Sequence, residues 1–118
     1  MAAAPCHPRK KLVAYGYCID CFRKWLSNRK PSERYGMSVD TAVALMELQD
    51  AKCYLCGYEF GTDVPVIDHN HLSRAPRGFA HKKCNSLIAF GMDNPRLIRQ
   101  IADNLEQPPF ERLPDVEE

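Results

Sequence analysis

The sequence contains no apolar run approaching the ~18 residues needed to cross a bilayer. Met1 to Pro5 lack the charged and long apolar regions of a signal peptide. The expected location is the cytoplasm, with no membrane partner. Also missing are an internal repeat, a Walker phosphate loop and a Gly-rich dinucleotide fingerprint. Trp occurs once in 118 residues, against nine Pro. Such a chain has many turns and a small core, for which metal cross-links are useful. The net charge is only +1 but it is unevenly spread: residues 1–36 hold eight Lys or Arg against two acids, and residues 103–118 six acids against one Arg. The basic end suits a nucleic-acid partner through counterion release, or is ordinary solvated surface.

What the chain does have is six Cys and four His. In a reducing compartment Cys-x-x-Cys pairs hold metal or do redox chemistry more often than they form disulfides. Cys53-x2-Cys56 and His81-x2-Cys84 give C-x2-C-x24-H-x2-C. Each half lets two donors reach one tetrahedral ion, so a structural Zn²⁺ site is expected. Upstream, Cys6, Cys18 and Cys21 make a second candidate zinc site. His7 is near, but adjacent Cys6 and His7 rarely both reach one ion, and the fourth ligand is left open.

Around these pairs, Phe22, Trp25 and Leu26 have helical spacing, and polar residues 27–36, with Pro31 and Gly36, read as a linker. Ser38 caps a helix that carries Val39, Ala42, Val43 and Met46 to near Gln49. Val64 to Ile67 and Arg77 to Ala80 are short strands, followed by a helix from Cys84 to Phe90. Asn94 and Pro95 start a last helix whose Leu97, Ile98, Ile101, Ala102 and Leu105 predict a core-facing stripe. The fold class is α+β, with three segments: a basic N-terminal segment with its small zinc element (1–33), a central domain (34–106) and an acidic Pro-containing tail (107–118).

The central domain also carries Asp68-His69-Asn70-His71, and an Asn follows the last ligand as Cys84-Asn85. A carboxylate, two imidazoles and amides make poor core material, because each needs a buried partner. Asp68 and Asn85 offer the oxygen atoms that Mg²⁺ prefers, and His69 is a natural general base because imidazole titrates near neutral pH.

The order C-x2-C, DHNH, RG-x2-H-x2-CN, with the helix before it and DNPRLIRQIADNLE after it, resembles the recombination endonuclease VII branch of the HNH nucleases over residues 34–106. The resemblance implies a zinc-stabilised ββα-metal (His-Me finger) domain with flanking helices. It further implies that Asp68 and Asn85 bind a catalytic Mg²⁺ or Mn²⁺, that His69 activates water and that His71 contacts the scissile phosphate. DNA is the implied substrate, nicked or cut through both strands, with Arg74, Arg77, Lys82 and Lys83 as candidate phosphate contacts. A second copy of the chain or a phage DNA-processing protein is a further candidate partner. The alternative is a non-catalytic zinc module that binds nucleic acid or a phage replication or packaging partner, which leaves the DHNH run and Asn85 unexplained. A thiol oxidoreductase would need a thioredoxin-like βαβ pattern, which neither Cys pair has.

Overall fold

A computed structural model describes residues 3–114. Its secondary structure is β1 (Ala3–Ala4), β2 (His7–Lys11), α1 (Ile19–Arg29), α2 (Pro31–Tyr35), α3 (Val39–Leu48), β3 (Pro65–His69), β4 (Pro76–His81), α4 (Lys82–Phe90) and α5 (Pro95–Glu106). A short 3-10 turn, Pro109–Arg112, follows. Among the described residues this is a small α+β fold with two two-stranded antiparallel sheets, β1–β2 and β3–β4, and five α-helices. It divides into two compact units at the Ser86–Leu87 bond.

The first unit contains the core. Phe22 and Leu26 of α1, Ala42, Val43 and Met46 of α3, Phe60, and Phe79 and Ala80 of β4 are all buried together. The rings of Phe22 and Phe79 meet edge to face at 5.8 Å, and Phe22 stacks on Trp25 at 5.6 Å. Ser38 starts α3 as expected, its hydroxyl accepting the Thr41 N–H at 3.0 Å. Residues 27–36 are not the linker their composition predicts. Helix α1 runs on to Arg29, Lys30 takes a left-handed conformation, and Pro31 starts α2 at its first position, where its missing N–H costs nothing. The N-terminal residues therefore share one core with α3 and β4.

Strand β3 begins at Pro65, where proline removes no hydrogen bond from the sheet interior. Its register with β4 pairs Asp68 with Gly78 and His69 with Pro76. Arg77 is thus the extra residue of a β-bulge, a device that re-aims a side chain. At the hairpin tip Asn70 Oδ1 accepts the N–H groups of Leu72 (2.9 Å) and Ser73 (3.1 Å), which closes the turn.

In the second unit, Asn94 caps α5 through the N–H groups of Arg96 and Leu97, as its sequence predicts. The expected core role of α5 is not observed: none of its residues is buried, and Leu105 is 79% exposed. The local reason is size, since residues 87–114 offer little else to cover the stripe, beyond Ile98 closing against Gly91. Of the predicted tail, residues 107–114 are largely exposed and carry the 3-10 turn, and residues 115–118 lie outside the described part. No helix among the described residues is long and apolar enough to cross a membrane.

The two units differ in what truncation should do. Phe22→Ala should destabilise the protein by about 3–5 kcal/mol in denaturant unfolding, and Leu105→Ala by no more than ~0.5 kcal/mol. A large loss at Leu105 would show that the α5 stripe is covered in solution.

Candidate functional site

Cys53, Cys56, His81 and Cys84 come together, each contributing one donor atom, with all four atoms within 4.8 Å of one another. His81 Nδ1 lies 3.3 Å from Cys56 Sγ and 4.0 Å from Cys84 Sγ. Tetrahedral Zn²⁺ with bonds of ~2.3 Å to sulfur and ~2.0 Å to nitrogen places such donors about 3.6 Å apart. The other ring nitrogen of His81, Nε2, is 3.2 Å from the Glu59 carbonyl. A carbonyl only accepts, so Nε2 carries the proton and the Nδ1 lone pair faces the thiols.

In a second group, Cys6, His7, Cys18 and Cys21, the four donor atoms also lie within 4.8 Å of one another. It joins the turn before β2 to the start of α1, where Cys18 is the N-cap residue. The Cys18 N–H donates to Cys6 Sγ at 3.2 Å, and His7 Nδ1 stands 3.5 Å from Cys18 Sγ and 3.4 Å from Cys21 Sγ. Adjacent Cys6 and His7 both reach this group, at the turn that leads into β2. His7 thus contributes the fourth of its donor atoms.

The thiols of each group respond to one another in the same way. Burial works against ionisation of Cys53, but the backbone N–H groups of Cys56, His81 and Leu55 bring it down to about 6. Burial, Cys56 and the Cys53 charge push Cys84 up to about 11. In the N-terminal group burial opposes ionisation of Cys18, yet the backbone at Cys21 and the Cys6 thiol bring it down to about 7, while Cys21 rises to about 11 through burial and contacts with Cys6 and Cys18. One thiolate per group forms readily and resists the next, and a bound cation relieves that repulsion. Both groups could hold a zinc ion.

The DHNH run lies at the end of β3. Asp68 is 1% exposed and forms a two-pronged ion pair with Arg77, Nε to Oδ2 at 2.7 Å and a terminal nitrogen to Oδ1 at 3.0 Å. The Tyr54 hydroxyl donates to Oδ2 as well. Burial alone would raise the Asp68 carboxyl, but Arg77 and Tyr54 hold it below the usual carboxylate range. His69 is half-buried between the rings of Tyr35 (5.7 Å) and His71 (5.3 Å), and its Nδ1 is buried with no hydrogen-bond partner. His71 is exposed, and Asn85 is half-buried in α4 directly after Cys84.

Of the expected phosphate contacts, Arg74, Lys82 and Lys83 are exposed. Lys82 and Lys83 line an open cleft of about 580 Å³ together with Arg29 and Asp63. The Arg77 guanidinium is paired with Asp68. Sequence reading also passed over Tyr54, which lies between two zinc donors, and Gln49, whose side chain bonds both backbone groups of Phe79 at 2.8 Å. Nothing in their spacing singles them out. Asn70 carries a turn signal that identifies it as the shaper of the loop.

The hairpin of β3 and β4 leads into α4, with a Cys/His group at that junction and Asp68 and His69 on the first strand. Recombination endonuclease VII matches residues 28–107. The chain belongs to that family. It is also 27% identical over 77 residues to the Gene 59 protein of Mycobacterium phage D29, an alignment covering 64% of this chain and 47% of that protein. The chain thus spans about half the length of the curated relative it matches. No solved structure matches.

Metal analysis of purified protein should find about two zinc per chain, falling to about one in Cys21→Ser. Cys56→Ser should unfold the first unit, because in so small a core metal binding is folding energy. A wild-type value near one would leave the N-terminal thiols free.

Proposed function

We propose that this chain is a divalent-metal-dependent endonuclease that hydrolyses DNA phosphodiester bonds, using β3, β4 and α4 as a ββα-metal finger of the HNH type. The observation that carries this reading is His69 Nδ1. Leaving a buried polar atom unpaired costs about 1–3 kcal/mol, and this one belongs to the residue that follows a fully buried carboxylate in the chain. A core role explains neither, and a non-catalytic zinc module has no use for them.

The donor set suits a hard cation. Asp68 offers two carboxylate oxygens, Oδ2 accepting from Tyr54 and Arg77 and Oδ1 from Arg77. Asn85 adds an amide oxygen, and oxygen donors of this kind are what Mg²⁺ and Mn²⁺ take. Asp68 and Asn85 would hold the ion, which supplies charge stabilisation to the phosphate as the bond breaks. His69 acts as general base: Nδ1 takes a proton from water, whose oxygen attacks phosphorus as the ester P–O bond on the far side breaks. The exposed His71 ring shifts to admit that water and then contacts the scissile phosphate. Arg74, Lys82 and Lys83 bind neighbouring phosphates and hold DNA in register. Zinc on Cys53, Cys56, His81 and Cys84, and on Cys6, His7, Cys18 and Cys21, is structural.

With Mg²⁺ or Mn²⁺, the protein should convert supercoiled plasmid to nicked or linear forms. His69→Ala should lower that rate by about 10²–10⁴-fold with zinc content unchanged. Equal cleavage by the variant would remove His69 as the base, and no cleavage by the wild type on duplex, branched or single-stranded DNA would favour the binding module.

A further inference from the structure

We propose that Arg77 is a latch on the divalent-cation site: its guanidinium holds Asp68 in the cation-free protein and swings to substrate phosphate when a cation takes the carboxylate. This deepens the nuclease reading above and rests on Asp68 as a cation ligand.

Three features of the hairpin carry the inference. The first is the bulge. Because Asp68 pairs with Gly78 and His69 with Pro76, Arg77 is left out of the register, so its side chain can move without breaking the strand pairing on either side. The second is exposure. The Arg77 side chain is 28% exposed and that of Asp68 only 1%, so the guanidinium is the member of the pair that reaches solvent. A cation arriving from solvent meets Arg77 before it meets the carboxylate.

The third is the way Asp68 is held once Arg77 leaves. The Tyr54 hydroxyl still binds Oδ2, so the carboxylate stays in place while the two lone pairs that faced Arg77, one on each oxygen, become free. A guanidinium and a dication on the same carboxylate repel each other, which makes the two occupants exclusive. Released beside the reacting centre, Arg77 has the flat double donor that suits phosphate. The ion pair thus neutralises a buried charge while no metal is bound, and metal binding converts its cation into a substrate contact.

The test is Mn²⁺ binding followed by electron paramagnetic resonance on zinc-loaded protein, with Asp68→Asn identifying the site by its loss. Arg77→Gln should bind Mn²⁺ at least about tenfold more tightly than wild type, because a competing positive charge is gone, yet cleave DNA more slowly. Arg77→Lys, which keeps the charge but loses the second donor, should fall between them and covers the case in which Arg77→Gln does not fold. In wild type, the side-chain Nε–H resonance of Arg77 should shift on Mg²⁺ addition. Unchanged or weaker Mn²⁺ binding in both variants, or an unmoved Nε–H signal at saturating Mg²⁺, overturns the latch while wild-type binding and cleavage leave the nuclease reading standing. Absence of Mn²⁺ binding in wild type and variants alike overturns both.

Discussion

The backbone N–H of Tyr54 donates to the carbonyl of Phe79 at 3.1 Å, and Gln49 brackets the same residue, donating to that carbonyl and accepting the Phe79 N–H. This fastening brings the Cys53–Cys56 turn alongside β4. Through it, the two halves of the Cys/His group, separated by 24 residues of chain, share one centre, and Tyr54 reaches Asp68 across the strand. Phe79 is also the residue whose ring meets Phe22 in the core. Core packing, the Cys/His group and the orientation of the buried carboxylate therefore act through one residue of β4.

The second Cys/His group adjoins the same core. Cys18 and Cys21 belong to the start of α1, whose Phe22 and Leu26 follow directly inside. This group lies before residue 28, where the family match begins. The N-terminal segment thus joins the shared core and brings its own group of candidate metal donors. Ion pairs Lys10–Asp20 and Lys11–Asp50 tie β2 to α1 and to the end of α3, but both are exposed, and such pairs contribute little beside buried packing.

Local rules made much of this chain readable. The 3.6-residue spacing around Ala42 and Met46, the Ser38 and Asn94 caps, and the paired-donor spacing all express short-range constraints that leave their mark in sequence. The same rules misjudged residues 27–36, where Pro31 suggested a break and instead begins a helix. Periodicity placed a stripe on α5 correctly but carries no information about what covers it. The partners of Asp68 were invisible for another reason. Arg77 meets it only because of a one-residue slip in register, and Tyr54 only because a turn from elsewhere in the chain lies across the strand. Roles read from the DHNH run and Asn85 follow from resemblance and chemistry, and the structure adds their surroundings.

Gly78 has an ordinary backbone conformation and would be counted as a plain strand residue. A Cβ there would stand 2.9 Å from the Tyr54 ring and 3.1 Å from Gln49 Oε1. The glycine is the bare floor on which that ring lies flat enough to reach the carboxylate. Positions 54 and 78 are consequently coupled in space: a side chain at 78 needs the room that the tyrosine ring and the Gln49 amide now fill.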